Sequence, residues 1–343
     1  MLRANVLNKL TPLSPYGLGI LLSLALGLMA ITVAKTSFFS SLGISALTIA
    51  IIAGMLIGNT VFPRFADTLS KGIDFSRSRL LRFGIVLFGF NVTIQQVMSI
   101  GMNGFMIDCL IVTLIFGTAY FIGTHWLKLD RDTTILIGAG SAICGAAAIL
   151  ATEPVIKAQA HKISVAVATV VIFGTLSMFI YPLIYPYLNM SEFDYGIFVG
   201  STVHEVAQVV AAGDAISPDA ANAAVIEKMM RVMLLVPFLL FISNFYRRQS
   251  LAVINEKSGI SVPWFAVMFV IVIGINSLNV IPHSLVVAIK STDVILLSMA
   301  MAALGVRTHI GAIKQAGVKP LVLASILFCL LLVIGYSVNI LIE

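Results

Sequence analysis

Eleven apolar segments, each long enough to cross a membrane as a helix, account for most of this sequence. The connections between them are short, so none can hold a soluble domain. The segments are residues 16–34, 43–62, 80–99, 103–125, 134–156, 163–187, 194–216, 223–246, 262–280, 283–305 and 318–341. Only 10% of the 343 residues are charged, against roughly 25% in soluble domains. The sequence therefore excludes a soluble enzyme and a disordered chain. It predicts one all-α polytopic membrane domain over residues 1–343, with about nine to eleven transmembrane segments.

The 21 Lys and Arg residues indicate which ends of the segments face the cytoplasm. With a cytoplasmic N-terminus and eleven spans, 15 of them lie inside and 3 outside, as the positive-inside rule requires. If segments 134–156 and 194–216 are re-entrant hairpins instead, Lys157 and Lys162 return to the cytoplasmic side and the split is 17 to 1. Both topologies stay open. The net charge of +6 belongs to these loops, so it implies no nucleic acid partner.

Two internal matches predict inverted repeats. Residues 43–125 match residues 262–341 in a register that aligns Gly101 with Gly317, and residues 134–187 match residues 194–246 in a register that aligns Gly140 with Gly200. If the two hairpins are present, both pairs of repeats are inverted in the membrane, as a single pseudo-two-fold axis requires. Inverted repeats with broken helices near the bilayer midplane are typical of secondary transporters.

The stretch Gly138–Gly145 predicts a break in the fifth segment. Its three glycines weaken a helix, and Ser141 is a suitable cap for a helix that restarts there. Such a helix start directs free backbone N–H groups and its positive dipole end into the membrane interior, where they bind anions. Close helix packing through small residues is the alternative explanation for the glycines.

The stretch Gly200–Gly213 repeats this Gly-Ser break and adds polar side chains. His204 and Gln208 are four residues apart and share a helical face. A protonated His204 could bind an anion, and Glu205 could carry a proton. Ionisable groups at this depth are costly and usually functional. A structural pairing of Glu205 with a basic residue is the alternative.

Four further ionisable residues are candidates or structural partners. Asp108 is predicted near the start of the fourth segment, where it could couple transport to an ion. Glu227 and Arg231 have the spacing of a structural ion pair, whereas Lys228 points elsewhere and could face an anion. The predicted substrate-binding residues are Gly140, Ser141, Cys144, Gly145, Gly200, Ser201, Thr202, His204, Gln208 and Lys228, and the predicted coupling residues are Glu205 and Asp108.

Enzyme motifs are not evident in the sequence. Gly138–Gly145 lacks the Gly-Lys-Ser/Thr end of a phosphate-binding loop, and no His-Glu-x-x-His motif is present. We therefore expect no cofactor, no bound metal and no enzymatic activity. An intramembrane hydrolase that uses Ser141 or Ser201 with His204 is a remote alternative.

Five stretches carry a family resemblance that covers nearly the whole chain: Lys71–Phe75, Leu80–Phe90, Gly140–Ile149, Glu153–Ile156 and Val203–Gly213. Together they resemble the YeiH-type family of proposed sulfate exporters, which are bacterial inner-membrane proteins. The resemblance implies an inner-membrane transporter, with sulfate or a related sulfur oxyanion as the substrate. The family is also similar in plan to the bile-acid and citrate symporters, some of which move a core domain against a dimer scaffold. That analogy leaves a homodimer open.

A secondary transporter of a small anion is the function that these patterns favour. The anion would lie between helix starts at Gly140–Ser141 and Gly200–Ser201. His204 and Glu205 would couple its movement to protons or select it. A passive anion channel is the alternative, because it needs the same helix dipoles but no coupling residue.

Cysteine accessibility scanning across Ala139–Lys157 distinguishes the two topologies. If this segment is a hairpin, membrane-impermeant reagents label cysteines at both of its ends from the same side. Labelling of the two ends from opposite sides would contradict the hairpin and leave eleven simple spans.

Overall fold

Helices are the regular elements throughout the part of the chain that the computed structural model describes, which is residues 16–36, 39, 45–249, 264–278, 280–308 and 317–342. The helices are α1 (Gly17–Ala34), α2 (Ala46–Thr60), α3 (Ala66–Phe75), α4 (Leu81–Phe88), α5 (Ile94–Phe121), α6 (Arg131–Ala139), α7 (Ala146–Ile156), α8 (Ala160–Ile184), α9 (Glu192–Thr202), α10 (Val206–Asp214), α11 (Pro218–Met233), α12 (Leu235–Gln249), α13 (Trp264–Ser277), α14 (His283–Arg307) and α15 (Val318–Ile342). The prediction of an all-α protein is confirmed for these residues.

Five of the described helical stretches are long and apolar enough to cross a membrane. They are Gly17–Ala34, Ile94–Trp126, His161–Tyr187, His283–Arg307 and Val318–Ile342. Three shorter helices, α2, α7 and α13, are also apolar. The chain is a membrane protein, whereas the exact number of spans and the two re-entrant hairpins stay predictions.

The described residues form two compact units. The first contains α1 to α4 together with α14, and α14 packs against α1 and α2. Glycines allow the backbones to approach closely. A Cβ atom added at Gly54 of α2 would lie 2.1 Å from the carbonyl oxygen of Ala302, and one added at Gly305 of α14 would lie 2.2 Å from that of Ile51. This is the small-residue packing expected of membrane helices.

The second unit contains α5 to α13 and α15. Helix α11 lies at its centre and packs against α5, α9 and α10. Its inward positions include Glu227, Lys228 and Arg231, whose side chains are fully buried. A central helix that carries three buried ionisable groups is unusual, because such groups need partners inside the protein.

Gly101 lies between two predicted segments, 80–99 and 103–125, and its backbone is non-helical, with φ of 50°, so that α5 is kinked there. The earlier segment is itself divided, because α4 ends at Phe88 and a capping box of Thr93 and Gln96 starts α5. Asp108 lies shortly after the kink, which agrees with its predicted place near the start of the fourth segment. Gly317, which aligns with Gly101 in the predicted repeat, also has a positive φ, 78°.

Substitution of Gly54 by Ala is expected to lower the stability of the detergent-solubilised protein by about 1–3 kcal/mol, because the added methyl group overlaps the α14 backbone. Gly117→Ala in α5 is the matched control, since a Cβ atom there meets no atom within 4 Å. That control should be neutral or stabilising by up to about 1 kcal/mol. Equal melting temperatures for Gly54→Ala and the unmodified protein would contradict the close packing.

Candidate functional site

The fifth predicted segment is broken, as expected, but the helix restarts later than predicted. Helix α6 ends at Ala139, and residues Gly140–Cys144 form one wide π-helical turn. Gly145 then has φ of 65°, and α7 begins at Ala146. The prediction that Ser141 caps the new helix is wrong, because Gly145 occupies the cap position and Ser141 is buried in the preceding turn. Only glycine adopts this φ without strain.

The seventh predicted segment is also broken, but by extended residues rather than by a glycine with positive φ. Helix α9 ends at Thr202, the backbone is extended at Val203 and again at Glu205, and α10 begins at Val206. Ser201 therefore lies at the carbonyl end of α9 and not at a helix start, which corrects the predicted position of the anion site. The two restarts, at Ala146 and Val206, align with each other in the register of the predicted repeat.

A single carboxylate lies at both helix starts. The backbone N–H of Ala146, the first residue of α7, donates to Oε1 of Glu205 over 3.4 Å. Glu205 is also the cap of α10: its side chain accepts from the backbone N–H of Gln208, and its own N–H donates to Oε1 of Gln208 over 3.1 Å. The carboxyl group of Glu205 thus occupies the place where the helix dipoles favour an anion.

Two cations on α11 bind the carbonyl groups at the other ends of the breaks. Nζ of Lys228 donates to the carbonyl oxygens of Ile143, over 2.7 Å, and Val203, over 2.6 Å. Nε of Arg231 donates to that of Ala142 over 2.7 Å, and its Nη1 donates to that of Ser201. Each cation therefore joins the first break to the second. Lys228 faces backbone carbonyls, so two of its three donors are already used.

The predicted ion pair between Glu227 and Arg231 is not observed. Among the described residues, the carboxylate that approaches Arg231 is Asp108 of α5, whose Oδ1 lies 3.9 Å from Nε. Asp108 and Glu227 are both buried, and no described residue forms a hydrogen bond with any of their four carboxylate oxygens. Glu227 instead packs against Gly104, where a Cβ atom would lie 2.3 Å from Oε2. Spacing within α11 missed this arrangement, because the partner of Arg231 is on another helix.

Three buried polar atoms at the breaks have no hydrogen-bond partner among the described residues: Oγ of Ser141, Nδ1 of His204 and Nε2 of Gln208. The role of His204 as an anion ligand stays a prediction. Gln208 offers a neutral N–H donor at the start of α10.

The remaining predicted glycines serve close packing rather than helix starts. A Cβ atom at Gly140 would lie 2.8 Å from side-chain atoms of Ile149 and Val170, and one at Gly200 would lie 2.4 Å from the carbonyl oxygen of Ala224. Gly145 is different, because a Cβ atom there would lie 2.6 Å from Cγ of Glu205. Cys144, at the end of the wide turn, is buried with a free thiol.

Asn339 of α15 is a site residue that the sequence did not reveal. Its Nδ2 donates to Oγ of Ser201 over 3.2 Å and to the carbonyl oxygen of Gly335 over 2.7 Å. Thr202 donates its hydroxyl hydrogen to the carbonyl oxygen of Phe198 and packs its methyl group where a Cβ atom at Gly335 would otherwise lie. No motif could have identified Asn339, because its partner lies 138 residues away.

Comparison with known proteins gives the family. A family model described as conserved hypothetical protein 698 matches residues 18–324. The chain belongs to this family. A UPF0324 membrane protein of Yersinia pestis is 50% identical to it over 97% of this chain and 94% of its own length. The UPF0324 inner membrane protein YeiH of Escherichia coli K12 is 52% identical over 88% of this chain and 87% of its own length.

The resemblance to the YeiH-type family, inferred from the sequence motifs, is therefore confirmed. A UPF0324 membrane protein of Photorhabdus laumondii is 46% identical over 94% of this chain and 92% of its own length. No solved structure matches the chain.

Replacement of Lys228 by Met should destabilise the protein, because it leaves the carbonyls of Ile143 and Val203 without donors, at about 1–3 kcal/mol each. We expect a clear drop in the melting temperature of the purified protein. Lys319→Met is the matched control, because Lys319 is exposed in the first turn of α15. If the Lys228→Met protein has the same melting temperature as the unmodified protein, the hydrogen bonds of Lys228 do not stabilise the two breaks.

Proposed function

We propose that this protein is a secondary active transporter, which carries a small anion across the bacterial inner membrane by alternating access. The observation that supports this proposal most strongly is the position of Glu205, whose carboxylate caps α10 and accepts from the first N–H of α7. Two helix starts that converge on one negative charge are a site built for an anion. Paired broken helices of this kind hold the substrate in known transporter folds.

Sulfate or a related sulfur oxyanion is the proposed substrate. Tetrahedral oxyanions accept several hydrogen bonds at once, so they suit the N–H groups of two helix starts and the amide of Gln208. Lys228 lies close enough to Glu205 to interact with it electrostatically and would add positive potential to the same place. The resemblance to proposed sulfate exporters points to the same class.

Coupling to an ion gradient is assigned to Glu205 and Asp108. Glu205 is half-buried, and Asp108 is fully buried beside Arg231. Carboxyl groups in such places can take up and release protons, which is what an ion-driven carrier needs. The orientation with a cytoplasmic N-terminus rests on the distribution of Lys and Arg. Placement in the inner membrane is supported by the names of relatives such as YeiH of Escherichia coli.

Flux measurements in proteoliposomes test this proposal against a passive channel. We expect uptake of radiolabelled sulfate that saturates with concentration and is accelerated by sulfate on the opposite side. Gly145→Ala should reduce this uptake strongly, because the added methyl group would displace Glu205 from the helix starts. Gly117→Ala is the matched control and should transport normally.

Two results would contradict the transporter. Currents that never saturate with anion concentration, without exchange, would identify a channel. No movement of sulfate, sulfite or thiosulfate in either direction, in protein that is folded by its melting curve, would exclude transport of this substrate class.

A further inference from the structure

Glu205 is the one half-buried residue of an otherwise buried stretch. From Tyr195 to Gly213, every residue except Glu205 is buried. At the other break, Ala146 and Ala147, the first residues of α7, are likewise partly exposed, whereas Ser141–Gly145 are buried. The partly exposed residues of the two breaks are therefore those at the helix starts, and Glu205 contacts both starts.

The amide of Gln208 is an independent sign that a further ligand binds here. Its Oε1 accepts from the N–H of Glu205 over 3.1 Å, so the whole amide group lies at the start of α10. Its Nε2 is fully buried and has no hydrogen-bond partner among the described residues. A buried donor without an acceptor is costly. Gly174 leaves the space for this side chain, because a Cβ atom there would lie 2.2 Å from Oε1 of Gln208.

An anion at this place meets a conflict of charge. The N–H groups that would hold it are those that already contact the Glu205 carboxylate. Two negative charges at one helix start repel each other strongly in an apolar surrounding. The site can therefore hold the carboxylate or an external anion, but not both in their charged forms.

We propose that Glu205 is a tethered competitor of the transported anion: its ionised carboxylate closes the site, and the anion binds once this group has taken up a proton and released the helix starts. This inference rests on the proposed anion site. The proton comes from the water on the side to which the site is open, and it stays on the Glu205 carboxyl while the anion is bound. Anion and proton therefore occupy the protein together, and the release of one favours the release of the other.

The charged and titratable neighbours of Glu205 come from several elements. Helices α8, α9 and α11 pack against α10. The groups are Lys228, Arg231, Glu227 and Asp219 on α11, Tyr181, Lys162 and His161 on α8, Glu192, Asp194 and Tyr195 on α9, the adjacent His204, and Cys144 in the turn before α7. Glu192 and Asp194 lie towards the far end of α10, because the hydroxyl of Tyr195 donates to the carbonyl oxygen of Ala212. Lys228 is a cation that interacts electrostatically with the ionised carboxylate of Glu205.

Binding of sulfate to the purified full chain, measured by isothermal titration from about pH 5 to about pH 8, tests this inference. Sulfate stays doubly ionised over that range, so any pH dependence comes from the protein. For the unmodified protein we expect the affinity to fall about tenfold per pH unit once Glu205 ionises, as linkage to one proton requires. Glu205→Gln and Glu205→Ala should bind sulfate without this pH dependence and, at about pH 8, more tightly than the unmodified protein does.

Glu153→Gln is the matched control, because Glu153 is also a half-buried carboxylate, on α7, away from the helix start. It should keep the pH dependence of the unmodified protein. Gln at position 205 keeps an oxygen that can cap α10, so the melting curve should show a folded protein.

Two outcomes would overturn the competitor role alone. Folded Glu205→Gln protein that no longer binds sulfate would make the carboxylate a required ligand. Sulfate affinity of the unmodified protein that does not change with pH would remove the proton from the binding step. Absence of sulfate binding in the unmodified protein and in every variant, at every pH, would instead contradict the proposed function itself.

Discussion

Two helix breaks leave backbone N–H and carbonyl groups that need hydrogen-bond partners, and this requirement explains the other features of the second unit. A break leaves carbonyl oxygens without donors on one side and N–H groups without acceptors on the other. Inside a membrane protein, neither set can turn to bulk water. Lys228 and Arg231 donate hydrogen bonds to the carbonyl oxygens at both breaks, and the side chain of Glu205 contacts the N–H groups at both helix starts. One helix and one carboxylate thereby hold two separate stretches of chain together.

The other buried charges are consequences of this solution. Two cations cannot be buried without negative charge nearby, because the cost of removing them from water is large. Asp108 and Glu227 are the buried carboxyl groups that interact electrostatically with Arg231 and Lys228. Their oxygens have no hydrogen-bond partners among the described residues, so no directed bond ties them to the cations. The small residue Gly104 gives Glu227 the space it needs.

The sequence predicted the breaks better than it predicted how they are closed. Glycines weaken a helix wherever they cluster, so the two breaks and their matching places in the repeat could be inferred from local composition. The residue at which each helix restarts could not be inferred in this way, because the restart depends on which group accepts the hydrogen bond of that residue's N–H. For α7 that group is Glu205, 59 residues away in the chain. The roles of Arg231 and Asn339 were missed for the same reason, since their partners lie on other helices.

The two ends of each break are closed in physically different ways, and the difference bears on function. The carbonyl ends are bound by two completely buried side chains, Lys228 and Arg231, which donate two hydrogen bonds each. The N–H ends contact a residue that is partly exposed. A chain shaped by stability alone could use continuous helices, which satisfy every backbone group without burying any charge. Buried cations at the carbonyl ends and a partly exposed carboxylate at the N–H ends are the arrangement that the proposed exchange of an anion requires.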